Sequence, residues 1–255
     1  MARSKRLQRE KRIAAQRTRI NVNLILILAG VIGVILLIVG IYRSDLFSIQ
    51  VVDVTGNTRL TADEVRGLAA VPQDATLLRF DGASVQERVE DSPWVAEAAV
   101  SREFPDTVRI RVDERVPFAL VDAGGATYFV VDSIGHVLAE QTPDETVTVV
   151  VIRDVEDLEL SVGSRAPSAA LRNALAVWEG LGPELRARTR TISAPTVDRT
   201  TLITNEDIEI IIGSAEGVER KDTVARSILA EQAGSVVYIN VRTVDRPTWR
   251  GLDAP

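Results

Sequence analysis

The stretch Thr107-Val108-Arg109-Ile110-Arg111-Val112-Asp113-Glu114 decides how the first folded part of this chain reads. Val108, Ile110 and Val112 alternate with Arg109, Arg111 and Asp113, the cleanest period of two in the sequence. Successive side chains of a strand point to opposite faces, so this pattern predicts one apolar face on a core and one charged face in water. On its N-terminal side, Phe104-Pro105-Asp106-Thr107 is turn chemistry, and Ala96, Ala98 and Val100 alternate with Glu97, Ala99 and Ser101 as a second half-buried strand. Further back, Ser84-Val85-Gln86-Glu87 reads as a capping box opening a helix that ends before Ser92-Pro93. Thr61-Ala62-Asp63-Glu64 is another, with Leu60 and Val65 at the spacing of a hydrophobic staple and a stop near Val71-Pro72. Residues 47–54 alternate loosely and turn at Thr55-Gly56-Asn57. The order is β-α-α-β-β in about seventy residues, one small α+β domain.

Before that domain lies a run of nineteen uncharged, almost wholly apolar residues, 24–42. At about 1.5 Å per residue it reaches roughly 28 Å, close to the hydrocarbon thickness of a bilayer. Residues 1–23 carry eight Arg/Lys against the single acid Glu10, a charge of +7; with −6 for the whole chain, the remainder holds −13. Basic residues are retained on the cytoplasmic side, so the expectation is a cytoplasmic tail, one membrane helix and an exported body. A cleaved signal peptide would have a shorter apolar core ending in small residues. Here the run leaves through Val39-Gly40-Ile41-Tyr42-Arg43-Ser44-Asp45, where Tyr42 and Arg43 suit an interfacial anchor.

After Pro117 the character becomes richer in strands. Residues 118–121, 128–131, 136–139 and 146–152 read as strands, with Asp132-Ser133-Ile134-Gly135 as a turn. Pro167 suits the first turn of a helix whose apolar face is Ala170, Leu171, Ala174, Leu175, Trp178 and Leu181, ended or bent at Gly182-Pro183. Strands at 189–193, 201–204 and 208–212 precede a helix over about 215–232 and a last strand over 236–244, and the polar residues 246–255 read as a loose tail. The expected fold class is therefore α+β, with the small domain at 46–116 and a β-rich domain with two helices at 117–245.

Several chemistries are excluded or weakened. The chain has no cysteine, which removes disulfides, thiolate metal sites and thiol nucleophiles. His136 is its only histidine, placed after a turn glycine without a Gly-x-Ser-x-Gly motif, so it reads as a solvated hairpin residue. Lys221 is the only lysine beyond the apolar run; no Ser-x-x-Lys precedes it, and its helix position suits the surface. No phosphate-binding loop or metal-spaced cluster is present, so neither a cofactor nor a metal is expected. An exported body at −13 argues against nucleic-acid binding, and no small-molecule substrate is implied. Carboxylates are plentiful, which leaves open an anchored cell-envelope hydrolase or transferase using paired acids.

The ordered motifs resemble the bacterial FtsQ/DivIB cell-division family. Phe47-x-Ile49-x-x-Val52-x-Val54-x-Gly56-Asn57 looks like the entry strand of its POTRA domain, and Pro93-Trp94-Val95 with Val100-x-Arg102-x-Phe104-Pro105-x-Thr107 looks like its hairpin. Ile110-x-Val112-x-Glu114-Arg115-x-Pro117-x-Ala119 looks like the exit into the β domain. Val131-Asp132-x-x-Gly135-x-Val137, Gly213 with Lys221, and Val237-Tyr238-Ile239-Asn240-Val241-Arg242 also match. Phe104 stands where the family often has Trp, and Asn240 where it usually has Asp.

The resemblance implies a non-enzymatic scaffold of the division septum, with FtsB/FtsL-type bitopic partners and, through them, the septal peptidoglycan synthase complex. It places the body outside the plasma membrane behind a single type II span. It also implies partner capture by strand addition at the closing strand, Val236, Val237, Tyr238, Ile239, Asn240, Val241, Arg242 and Thr243. As the last strand, this segment is expected to carry an unpaired edge. Alternation puts Val237, Ile239 and Val241 on one face and Val236, Tyr238, Asn240 and Arg242 on the other. Trp249 is either an aromatic contact for such a partner or a lid over the sheet. Glu114, Arg115 and Pro117 at the domain exit read as a salt-bridged strand end or a partner contact.

Overall fold

The computed structural model describes residues 26–142, 149–156 and 158–251. The basic tail, residues 24 and 25 of the apolar run, 146–148 of the expected strand, and 252–255 lie outside the described residues. Helix α1 (Leu26–Arg43) is long and apolar enough to cross a membrane, and none of its membrane-length window is buried against the protein.

The first domain has the expected order: β1 (Val51–Thr55), α2 (Ala62–Ala69), α3 (Gly82–Glu90), β2 (Val95–Glu103) and β3 (Thr107–Glu114). Strand β3 is central, parallel to β1 and antiparallel to β2. Val108, Ile110 and Val112 are fully buried, as their alternation requires, and face Val65, Ala69, Val85 and Val89 of the two helices. Each such side chain contributes about 1.5–3 kcal/mol of burial. The Thr61 capping box forms in both directions, Thr61 Oγ1 accepting from the Glu64 N–H and Glu64 from the Thr61 N–H.

Two local readings shift. Helix α3 starts before Ser84: Asp81 is its N-cap, accepting the Ser84 N–H at 3.3 Å and the Ser84 hydroxyl at 2.6 Å. An aspartate three residues earlier caps the helix by accepting the N–H of Ser84 itself, so Ser84 becomes part of the first turn. In β2 an irregularity between Val95 and Glu97 buries Val95 and Ala98 and exposes Ala96. The extra residue of such a bulge breaks the period of two.

The second domain is built on one nine-stranded sheet: β4 (Ala119–Asp122), β5 (Tyr128–Val131), β6 (Val137–Gln141), β7 (Val150–Arg153), β8 (Thr189–Ser193), β9 (Thr201–Thr204), β10 (Glu209–Ile211), β11 (Val236–Asn240) and β12 (Thr248–Gly251), in spatial order β12-β11-β10-β9-β8-β7-β4-β5-β6. Helices α4 (Ala169–Gly180), α5 (Pro183–Arg188) and α6 (Val218–Glu231) share its core. Ser168 caps α4, and Pro167 stands just outside it. The domain thus has three helices rather than two: Pro183 opens α5 at a position where a missing N–H costs nothing. Lys221, expected at the surface, is 4% exposed, and its Nζ donates to the Ser214 carbonyl at 2.8 Å. Burial holds its amine below the ordinary lysine value, with Glu216 opposing.

The C-terminal segment departs most from expectation. Residues 248–251 are not part of a loose tail but form β12, an antiparallel strand beside β11. The chain turns back after Thr243, whose carbonyl accepts the Arg246 N–H at 3.1 Å, and Pro247 leads into the strand.

Candidate partner-binding edge

Strand β11 was expected to expose one edge; it has strands on both sides. It runs parallel to β10, pairing Tyr238 with Glu209, Ile239 with Ile210 and Asn240 with Ile211. On the other side it is antiparallel to β12, pairing Val236 with Gly251, Tyr238 with Arg250, Ile239 with Trp249 and Asn240 with Thr248. Its backbone groups are committed, and it offers no free ladder. The predicted faces also shift. A register irregularity between Val236 and Tyr238 puts Val236 on the buried side with Ile239 and Val241, leaving Val237 half-buried. Ile239 is 0% exposed and belongs to the core.

The opposite edge of the sheet is β6, and on this side the edge is β12. Its outer N–H and C=O groups face no other strand among the described residues. Trp249 pairs with Ile239 and so shares the core side of the sheet, yet it is 49% exposed. It therefore covers the rim and presents an aromatic surface at once. On the opposite face the Arg250 guanidinium lies 5.6 Å from the centre of the Tyr238 ring. Where β11 turns towards β12, Asp198, Asn240, Arg242, Thr243, Arg246 and Thr248 line a polar hollow of about 340 Å³. Asn240 is internally engaged there: its Oδ1 accepts from the Arg242 N–H at 3.2 Å and Nε at 3.3 Å, and its Nδ2 donates to the Tyr238 hydroxyl at 3.4 Å. Arg242 and Thr243 are exposed. Thr248-Trp249-Arg250 after a Pro turn was the sequence signal for β12, but it is only four residues long.

The exit residues have structural partners. Glu114 accepts the backbone N–H groups of Thr58, Arg59 and Leu60 at 3.0, 2.7 and 2.9 Å, tying the β1–α2 loop to β3. Burial pushes its carboxyl up, but those hydrogen bonds, Arg59 and Leu60 foremost, hold it below the usual range. Arg115 Nη1 sits 2.9 Å from Asp132 Oδ2, with side chains 18% and 9% exposed, and its own N–H donates to the Trp94 carbonyl. Pro117 lines a cavity of about 460 Å³ with Phe118, Val150, Trp178, Arg186 and Arg190 among others. His136 is half-buried, its imidazole held below the ordinary value by burial and by Arg115, with Asp132 opposing. Two carboxylates, Glu156 and Glu159, border a hollow of about 440 Å³, and both are exposed.

Residues 47–115 match the family described as POTRA domain, FtsQ-type, and residues 119–245 match Cell division protein FtsQ/DivIB, C-terminal. The cell division protein FtsQ of Streptomyces venezuelae is 30% identical over 205 residues, 78% of this chain and 74% of that protein. FtsQ of Anaeromyxobacter sp. is 29% identical over 215 residues, 82% of this chain and 72% of that protein. FtsQ of Syntrophotalea carbinolica is 30% identical over 164 residues, 64% of this chain, and there the match spans only 57% of the relative's own length.

Proposed function

The chain belongs to the FtsQ/DivIB family of cell-division proteins, and from that premise we propose that it is a non-enzymatic, single-pass scaffold of the septal division complex. Its place in division follows from the family. In this reading the basic tail stays in the cytoplasm, α1 crosses the plasma membrane as a type II anchor, and both domains work outside, at the septum. Anchoring confines the body to the membrane surface and raises the effective concentration of other anchored proteins.

The body then captures an extended segment of an FtsB-type bitopic partner, itself paired with an FtsL-type protein, and through that pair influences the septal peptidoglycan synthase. The observation that carries this reading is the free outer edge of β12, not β11. An added strand gains affinity from the backbone ladder and selectivity from side-chain contacts, here Trp249 on one face and Arg250 with Tyr238 on the other.

The test is co-purification of the full chain with an FtsB-type partner, wild type against Trp249→Pro and Arg250→Pro. Neighbouring N–H groups in a strand point alternately inward and outward, so one of these prolines removes only an outward donor and leaves the β11 ladder whole. That variant is expected to keep the fold by circular dichroism and lose the partner. Undiminished capture by both folded variants would refute docking at this edge. Turnover of a cell-wall fragment by the purified chain would instead favour the hydrolase reading.

A further inference from the structure

We propose that the tip of the POTRA domain beside α1, carried by Leu46 and Phe104, rests in the lipid headgroup interface and fixes the domain against the bilayer. The inference rests on α1 crossing the membrane.

The join between helix and domain is short and hydrogen-bonded at both ends. Ser44 closes the end of α1, its N–H and hydroxyl both donating to the Ile41 carbonyl at 3.2 and 2.7 Å. One 3₁₀ turn, Asp45–Phe47, follows, with the Ser48 N–H returning to the Asp45 carbonyl. At Phe47 the domain has already begun: its carbonyl accepts the Leu77 N–H at 2.8 Å, and Ser48 bridges Thr76. Such a turn rises about 2 Å per residue, so the folded body starts roughly 8 Å from the last residue of α1. The headgroup layer itself is roughly 5–8 Å deep on each side.

Phe104 is brought to the same place from the far end of the domain. Sitting in the β2–β3 turn, it meets the Phe47 ring edge to face, centroids 5.4 Å apart. One side of Phe104 is thereby covered, and the residue remains 59% exposed; Leu46, in the 3₁₀ turn, is 69% exposed. Single exposed apolar residues are ordinary on any surface. These two are set apart by position, adjoining a helix that leaves a bilayer. The charges around them fit a lipid surface as well. Around the pair, Arg43, Arg79, Arg102 and Arg109 stand against Asp45, Asp53, Glu103 and Asp106, four charges of each sign: Asp45 lies 3.8 Å from Arg79, Arg109 bridges Asp53 and Glu103, and Arg43 stands outside the described ion pairs. The tip thus escapes the acidic character of the rest of the exported body, which anionic lipid would repel. An apolar pair at this depth leaves water for the acyl boundary while the neighbouring arginines stay with the headgroups.

The absence of cysteine makes the test direct, because one introduced thiol takes one spin label. The full chain carrying Leu36→Cys, Leu46→Cys, Phe104→Cys or Ile134→Cys is labelled and placed in nanodiscs of phosphatidylethanolamine and phosphatidylglycerol. Collision with oxygen is compared with collision with a water-soluble nickel chelate. Position 36 reports the bilayer interior, and 134, an exposed turn of the β domain, reports water. Labels at 46 and 104 are expected between the two, with nickel accessibility at least threefold below that at 134. Adding Phe104→Asp is expected to raise nickel accessibility at 46 at least twofold, and Phe104→Trp to leave it unchanged. If 36 is lipid-like and 46 and 104 match 134, this contact is overturned while the anchor stands. If 36 itself is water-like, the anchor fails and the contact with it.

Discussion

Replacing Arg115 with Met tests how the two folded domains are held together. Arg115 leaves the end of β3 and reaches the β5–β6 turn, where its Nη1 lies 2.9 Å from Asp132 Oδ2. The other carboxylate oxygen of Asp132 accepts the N–H groups of His136 at 2.7 Å and Ile134 at 3.1 Å. Removing one partner of a buried pair costs roughly 3–5 kcal/mol, most of it from the charge left behind. Asp132 keeps two backbone donors, so the lower end applies, about 3 kcal/mol, or roughly 150-fold in the folding equilibrium. Adding Asp132→Asn to Arg115→Met should recover part of that loss, because no bare charge then remains. Urea unfolding of the three forms measures the set. A second readout is the titration of His136, whose ring signals are unambiguous because it is the only histidine. Burial, then Arg115, hold its folded value down, with Asp132 opposing, so Arg115→Met should raise the midpoint. A histidine depressed in the folded state supports stability above its unfolded value and loses that support as pH falls towards the folded one. The wild type should therefore weaken through this range as pH falls, and Arg115→Met should show less of this histidine-linked loss. A stability change below about 0.5 kcal/mol with an unmoved His136 midpoint would show that the pair does not couple the domains.

Glu114→Ala should cost about 1–2 kcal/mol, since three loop donors lose a charged acceptor but regain partial hydration. The native carboxyl is depressed, so its contribution is present above the unfolded value and fades as pH falls; acid titration of wild-type and variant unfolding should converge. Gly56→Ala should cost more than about 2 kcal/mol, because φ is +84° and a Cβ would lie 2.2 Å from the Val112 carbonyl oxygen; thermal melting of the variant reads this. Ile239→Ala should cost about 2–5 kcal/mol as a core truncation, whereas Trp249→Ala, at a half-exposed ring, should cost less and weaken partner capture.

Much of the architecture was legible because its causes are local. The alternation of Val108, Ile110 and Val112, the Thr61–Glu64 capping box and the apolar run each express themselves within one or two turns of chain. The POTRA order and the sequence of strands after Pro117 followed from such signals. The misreadings have nearby causes too: the β2 and β11 irregularities insert a residue that no count of twos anticipates, and Asp81 pre-empted Ser84 as the cap. The roles of Glu114 and Arg115 were open at that level and Lys221 was misread as a surface residue, because hydrogen-bonding capacity does not name the partner that folding supplies, whether seven residues away or more than fifty.

What the chain determined alone is a charge-biased apolar span followed by an α+β domain and a β-rich one, since hydrophobic period and capping act between neighbours in sequence. Which strand lies outermost was left to the tertiary structure. β11 is enclosed because β10, on the far side of α6, comes to one flank while the turn at Pro247 brings β12 to the other. Edge status belongs to the assembled sheet and is written in no single strand. That is why the free ladder at this end of the sheet lies at residues 248–251 rather than in the apolar strand before it.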